Sequence, residues 1–519
     1  MPWPGAFART APDRPALVMA GSGATLTYAE LEERSTRLAS WLRAQGLRPG
    51  DVVALLTDNR LEVSEVYWAC QRAGLYVTAV NWHLAPAEAT YVVADSGARV
   101  LVAAATLAPL ARHLRAAVPA LEAALSVGGP VEGFTGYADA LAAGDPVPPA
   151  DQPRGADLLY SSGTTGRPKG IRPPLPDRQV TEPGDSIAAV FGTRYGFGED
   201  TVYLSPAPAY HAAPLRFIGA VQATGGSVVM MEAFDAEAAL AAIERYGVTH
   251  GQFVPTMFVR MLKLPPEVRG RHDVSSLRVA VHAAAPCPPD VKRAMIDWWG
   301  PVLEEYYAST ESAGVTMVGS AEWLAHPGTV GRDGFLGTVH VVGDDGRELP
   351  PGEVGVIYFE REAMPFAYLG DPERTAQAQH LDHPTWSTVG DMGYLDEDRW
   401  LYLTDRQSNM IISGGVNVYP REAEDVLALH PAVHDVAVIG VPDEEMGESV
   451  LALVQPAPGT GTAGLADELV SYTRQRLSHF KCPSRVEFVD ELPRTPTGKL
   501  QKHLLRRRYA ATEDAGRRP

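Results

Sequence analysis

Cysteine is scarce. Cys70, Cys287 and Cys482 are the only 3 in 519 residues, and no two of them stand at metal-ligand spacing. That excludes a disulfide framework and a zinc site as organising elements, and the chain reads as cytoplasmic. Long hydrophobic runs are missing too: nothing approaches the ~20 apolar residues that cross a bilayer, and the start, "MPWPGAFARTAPDRPALVMA", lacks an apolar stretch behind a basic flank. Neither a membrane span nor an export signal is expected. Positive charge is in deficit, with 45 Lys and Arg against 63 Asp and Glu and a formal net charge of −18. Phosphate backbones would be repelled, so no nucleic-acid partner is expected. What is present, 45% hydrophobic and 21% charged residues, suits folded domains, and the length exceeds what one core supports.

The first third alternates helical and strand-like stretches. "LTYAELEERSTRLASWLRAQGL" puts Leu31, Arg34, Leu38 and Leu42 on one helix face, and "DVVALLT", "GLYVTAVN" and "ARVLVAA" read as buried strands. A second series runs from "TVYLSPAPAYH" through "GGSVVMM" and "GVTHGQFVP" to "LRVAVHAAA". Strands alternating with helices predict an α/β fold with two parallel sheets of one kind in tandem. After about Gly331 the texture becomes strand residues broken by Asp-Gly and Pro-Gly turns, which predicts a small antiparallel β-barrel-like subdomain. From Gln407 a third texture, strand, glycine turn, Pro-started helix and strand, predicts a small α+β domain over 407–519 behind a large domain over 1–406.

Four short stretches carry chemistry. "YSSGTTGRPKG" follows Asp157–Tyr160, read as a strand end whose loop leaves the carboxyl edge of a sheet. Gly163 and Gly166 free the backbone N–H groups, Ser161, Ser162, Thr164 and Thr165 add hydroxyls, and Lys169 adds a positive charge, an inventory that suits a polyphosphate. It is not a Walker A motif, since Lys169 is misplaced and Gly170 stands where Ser or Thr would bind magnesium. "LEEYYASTESAG" places Tyr307 to stack on a base, Thr310 to reach a phosphate and Glu311 to hold Mg²⁺. "STVGDMGYLDEDRWLYLTDRQSNMIISGGVNVYPREAE" and "LPRTPTGKLQK" complete the set.

In this order and spacing the four stretches resemble the acyl-adenylate-forming superfamily of acyl-CoA synthetases, nonribosomal-peptide adenylation domains and firefly luciferase, over nearly the whole chain. "ISGGVNVYPREAE" is most similar to the fatty-acyl and aryl-CoA ligase branch. The resemblance implies ATP, Mg²⁺ and CoA as the small-molecule partners of a carboxylic acid. The loop from Ser161 to Lys169 would cradle the β- and γ-phosphates. Tyr307 would stack on adenine, with Ala283, Ala284 and Ala285 on its other side and Ala308 beside it. Thr310 would bind the α-phosphate and, with Glu311, the magnesium. Asp391 would accept from the ribose hydroxyls, and Arg406 would contact ribose or phosphate. Lys499 would bridge carboxylate and α-phosphate during adenylation. Gly414 and Gly415 would let the pantetheine thiol pass after the small domain turns near Ser408. A homodimer stays open as an assembly.

Departures from that family pattern are visible. Ala308 stands where a glycine is usual, Ser408 where the hinge commonly has Asp or Lys, and Met446 where a tryptophan sometimes packs near the CoA adenine. In "PAPAYHAAPLRF", His211 falls where the branch it resembles tends to place a gate residue between acyl channel and nucleotide. Ala212, Ala213, Phe217, Phe253, Val254, Met257 and Ala283 to Ala285 are expected to line an apolar pocket of little bulk, with no acid for an amino group. A large lipophilic acid is expected, a fatty acid or a ring system such as a steroid or terpenoid acid. The expected activity is an AMP-forming acyl-CoA synthetase; the alternative stops at the acyl-adenylate or passes it to a carrier protein.

Overall fold

A computed structural model describes residues 3–161, 168–182, 188–406, 409–413, 416–443, 446–494 and 500–516, with backbone alone at 188, 189, 406 and 510–516. The large part of the chain holds two α/β sheets packed on one shared core. The first is six-stranded and parallel, in the order Thr135–Gly136, Ala123–Val127, Ala98–Ala104, Val52–Leu56, Tyr76–Ala79, Ala156–Asp157. Its central strand Val52–Leu56 is buried at every position, so it reads as an unbroken apolar run rather than an alternation. The helix Tyr28–Ala44 starts at Thr27, which accepts from the Glu30 N–H while Glu30 accepts from the Thr27 N–H at 2.8 Å. Leu31, Leu38 and Leu42 are fully buried on its inner face. Arg34 shares that face by donating to buried Glu65 at 2.7 Å.

The second sheet has nine strands, in the order Arg332–Leu336, Val315–Gly319, Leu303–Ala308, Val279–His282, His250–Phe253, Val202–Ser205, Ser227–Met230, Pro15–Met19, Thr25–Thr27. Its interior is parallel as expected, but both edges are antiparallel. A few residues join Pro15–Met19 to Thr25–Thr27 and Leu303–Ala308 to Val315–Gly319, while the helix Ser320–Ala325 stands between Val315–Gly319 and Arg332–Leu336; only antiparallel neighbours can be joined without a crossover. Arg332–Leu336 still belongs to this sheet, so the change of texture seen after Gly331 precedes the structural boundary. The antiparallel subdomain begins with Thr338–Val342, followed in its sheet by Gly355–Glu360, Asp391–Leu395 and Leu401–Arg406, with Trp386–Ser387 beside Gly355–Glu360.

The C-terminal part has its own five-stranded sheet, Val416–Val418, Ile411–Ser413, Gly447–Pro456 and Val433–Asp443, with Arg485–Phe488 parallel to Gly447–Pro456. Its core, including Ile411, Val438, Ala452 and Leu469, is separate from those of the large part. Polar contacts cross between the two. Lys263 donates to the Val433 carbonyl at 2.8 Å, Arg421 to that of Leu403 at 3.1 Å, and Lys502 lies 2.9 Å from Glu424 and 3.8 Å from Asp405. No helix among the described residues is long and apolar enough to cross a membrane.

Candidate active site

The parallel strands His250–Phe253, Val279–His282 and Leu303–Ala308 end at a common edge, where α/β sheets open their crevices. Two cavities meet there. One, of about 570 Å³, is lined by Ser161 and Lys169, by His211, Ala212, Ala213 and Phe217, by Phe253 and Val254, and by Ala283, Ala284, Ala308, Thr310, Glu311 and Asp391. The other, of about 710 Å³, runs between the large and small parts and is lined by Ala284, Ala285, Tyr307, Ala308 and Asp391 on one side and by Arg421, Arg494, Leu500 and Lys502 on the other. Ala284, Tyr306, Ala308 and Asp391 belong to both.

Stretches far apart in sequence are therefore brought together. Tyr307, on the last turnless residues of its strand, donates its hydroxyl to Asp391 Oδ2 at 2.8 Å. Glu311 sits in the short connection after that strand, buried, and accepts from the Tyr368 hydroxyl at 3.0 Å. The Lys169 ammonium lies 4.8 Å from the centre of the same Tyr368 ring. Tyr368 was not picked out by sequence; only its antiparallel bridge to Ile171 brings it beside the loop. Glu311 Oε2 has no hydrogen-bond donor among the described residues. One open carboxylate oxygen in a cavity that Thr310 also lines fits a hard cation that takes the rest of its shell from phosphates and water. Ala284 adopts φ +74, in the left-handed region that costs a side-chain-bearing residue roughly 1–2 kcal/mol. Such strain is commonly retained where backbone must be presented to a ligand.

Part of the expected site lies outside the described residues: Ser162, Gly163, Thr164, Thr165, Gly166, Ser408, Gly414, Gly415 and Lys499; Arg406 is described in backbone alone. Arg494 and Leu500, at the ends of the "PRTPTGK" stretch, line the cavity between the large and small parts. The parallel strand Ala156–Asp157 ends at the sheet edge, and directly after it Leu159–Ser161 pairs antiparallel with Lys169–Ile171, a two-stranded ribbon on either side of the glycine-rich stretch that the sequence did not indicate. Gly170 is tied to this pairing, since a Cβ there would lie 3.0 Å from the Tyr160 ring.

The pocket wall also needs correction. Met257 is buried in the outer core beyond the sheet, because Pro255 starts a helix that turns it away from the cavity. Ala285 lines only the cavity between the two parts. The chamber is not of small residues alone. Phe191 packs on Phe217 and on Tyr306, both with ring centres 5.0 Å apart, and all three line it. Tyr306 sits one residue before Tyr307 and points to the opposite face of the sheet, a consequence of strand alternation. Between the helix Pro289–Trp299 and the strands Val279–His282 and Leu303–Ala308 lies a buried ionic cluster. Lys292 donates to Glu305 at 2.5 Å, and His282 Nε2 is 3.6 Å from the same carboxylate. Burial, with the Lys292 charge, holds the His282 imidazole well below its ordinary pKa.

These features define a class: an α/β protein whose sheet edge and smaller second part enclose the ribbon carrying Lys169, the Glu311 carboxylate and an aromatic-walled chamber. A family model described as AMP-binding enzyme matches residues 6–369, and one for the AMP-binding enzyme C-terminal domain matches residues 422–499. The chain belongs to this family of adenylate-forming acyl- and aryl-CoA ligases. It is similar to a feruloyl-CoA synthase from Amycolatopsis sp, 38% identical over 98% of each chain. It is also similar to the fatty acid–[acyl-carrier-protein] ligase ScoC of Streptomyces coeruleorubidus, 33% identical over 96% of this chain and 94% of that one. Among solved structures, the anthranilate CoA ligase AuaEII in complex with anthranoyl-AMP superposes with a TM-score of 0.84 at 26% identity, covering 99% of this chain and 98% of that one.

Proposed function

We propose that this ligase joins a ring-bearing lipophilic carboxylic acid to AMP with release of pyrophosphate, and then transfers the acyl group to the CoA thiol with release of AMP. The observation that carries this reading is the convergence, on one cavity, of Lys169, Thr310, Glu311 and Asp391 with an aromatic chamber entered beside His211. The feruloyl-CoA synthase relative supports an aryl acid and CoA.

In this reading the acid's apolar body occupies the chamber and its carboxylate faces Thr310. The carboxylate oxygen attacks the α-phosphorus as the bond to pyrophosphate breaks. Ser161, Lys169 and the residues between them hold the departing phosphates, Tyr307 and Ala283 to Ala285 hold the adenine, and Asp391 with Arg406 holds the ribose. Glu311 and Thr310 would hold Mg²⁺, which supplies charge neutralisation on the phosphates. Lys499 donates to the oxygens on which charge gathers, an interaction made fully only in the transition state. No protein nucleophile is required. The division at 406/407 would let the small domain turn near Ser408, withdraw Lys499 and present Gly414 and Gly415 to the thiol.

A second reading keeps the adenylation step and changes the acceptor. Met446 is exposed at the position where a tryptophan would pack on CoA, and the ScoC relative is a ligase to a carrier protein. Pyrophosphate release and thioester formation, measured with each acid in the presence and absence of CoA, separate the readings. Acyl-CoA as product supports the first; adenylate that persists with CoA and is consumed by a carrier thiol supports the second; ADP as product removes both.

A further inference from the structure

We infer that Asn59, which stands outside the wall of the chamber, is a positioning residue for it: its carboxamide fixes the backbone that presents Tyr210 and His211 to the cavity. This rests on the adenylation reading and goes further, because it names what holds the entrance beside His211 in place.

Residues 205–211, "SPAPAYH", run from the end of strand Val202–Ser205 to the helix Ala212–Ala223. Pro206 and Pro208 have no N–H, so this stretch cannot bind a neighbour through a continuous ladder of backbone bonds. A 3.3 Å bond from the His211 N–H to the Pro208 carbonyl closes its last turn. Asn59 provides what the prolines withhold. Its Nδ2 donates to the Ala207 carbonyl at 3.1 Å and to the Met231 carbonyl at 2.8 Å, and its Oδ1 accepts from the Ala209 N–H at 2.8 Å. One carboxamide thus grips the chain on both sides of Pro208 and ties it to the end of strand Ser227–Met230. These partners also fix which way the amide faces, since a flipped one would set its oxygen against two carbonyls.

Asn59 comes from the other sheet, just past the end of its central strand Val52–Leu56. Its neighbour Asp58 accepts from Arg60 Nε at 2.6 Å and from the Thr106 hydroxyl at 3.1 Å, so the base of the contact is itself braced. On the far side, Ala207, Ala209 and Met231 are all buried, and the backbone groups that Asn59 serves would be costly to leave unpaired. The two residues after Ala209 carry rings into the wall. Tyr210 and His211 both line the chamber, with ring centres 4.5 Å apart, and His211 begins its helix without a side-chain capping bond. The place of each ring is set by the backbone just before it, so a shift of residues 207–209 moves both together. Small displacements at a substrate-holding wall are felt in the reaction, because the acid must meet the phosphorus in one geometry.

The test measures pyrophosphate release with ferulic, benzoic and decanoic acids for the wild type, Asn59→Ala, Asn59→Gln, His211→Ala and the Asn59→Ala, His211→Ala double variant. In Asn59→Ala the KM for the acid should rise roughly ten-fold, the loss of one or two net hydrogen bonds, while the KM for ATP moves by less than about two-fold. Asn59→Gln displaces the carboxamide by one methylene and should show the same split at smaller size, which serves if the alanine variant does not fold. In the His211→Ala background the effect of Asn59→Ala on the acid KM should shrink to about two-fold, since a group that acts through this loop has little left to move. A KM does not depend on how much of a variant is folded. Independently of activity, amide hydrogen exchange over residues 207–215 should quicken about ten-fold in Asn59→Ala, with no change over Val279–His282. The inference is overturned if every folded Asn59 variant keeps the wild-type acid KM, if the two KM values rise in parallel, if the effect is undiminished without His211, or if exchange over 207–215 is unaltered. If no acid releases pyrophosphate, the adenylation reading fails, and exchange then decides alone whether Asn59 holds this segment.

Discussion

The Tyr307 hydroxyl and Asp391 Oδ2, 2.8 Å apart, close the seam between the nine-stranded sheet and the antiparallel subdomain. One residue comes from the end of strand Leu303–Ala308 and the other from the start of strand Asp391–Leu395. Tyr307→Phe removes the donor but keeps the ring. Denaturant unfolding should show a loss of about 1 kcal/mol. The KM for ATP should rise more than kcat falls, because ribose and adenine are held before and during the reaction alike.

Glu311 is oriented by Tyr368. Glu311→Gln should slow adenylation by about a hundred-fold and raise the Mg²⁺ concentration needed for half-maximal rate. Tyr368→Phe should move the same Mg²⁺ titration in the same direction, by less. A wild-type titration in both variants would remove the metal from Glu311.

Lys499→Ala should lower the rate of adenylate formation by two or more orders of magnitude with little change in ATP binding, on the order of the loss of a preorganised donor to transition-state charge. Given a preformed acyl-adenylate, the same variant should still make thioester. Lys263→Ala removes the donor to the Val433 carbonyl and loosens the small domain in its present seat. Its signature should be the same in kind and much smaller: adenylation several-fold slower, about the worth of one hydrogen bond, and transfer from supplied adenylate not slowed. Rapid-quench measurement of the two half-reactions separates them by the size of the adenylation defect.

His282 supplies a pH dependence of stability. Its folded-state pKa is well below the ordinary 6.5, chiefly through burial. Below that ordinary value the unfolded chain binds a proton that the folded chain refuses, so stability falls as pH drops beneath about 6.5 and is fully present above it. His250, lowered chiefly by burial too, acts in the same direction. Denaturant melts at pH 7.5 and 5.5 should differ in the wild type, and the difference should shrink in His282→Leu. An equal difference would mean that the acid loss comes from elsewhere.

Much of this protein is local in origin. The buried runs around Val52–Leu56 and Val279–His282, the Thr27–Glu30 cap and the glycine-rich and "YYASTE" stretches each follow from short-range periodicity or from residue types that one ligand chemistry demands. That is why the α/β class, the two textures after it and the gathering of Tyr307, Thr310, Glu311 and Asp391 at one pair of cavities were legible in the chain alone. Other features depend on contacts between residues far apart. Whether edge strands run parallel, that Ser161 and Lys169 are paired across a ribbon, and that Met257 faces the outer core are set by which neighbour each strand finds. Tyr368 reaches Glu311 and Arg216 reaches Asp157 across 57 and 59 residues of sequence, and no local pattern marks either pair. Residue types and spacing determine which chemistry this chain can support. The shape and polar partners of the aromatic-walled chamber were decided only when distant side chains packed, because what a buried polar group can still bind depends on which partners packing has already given it.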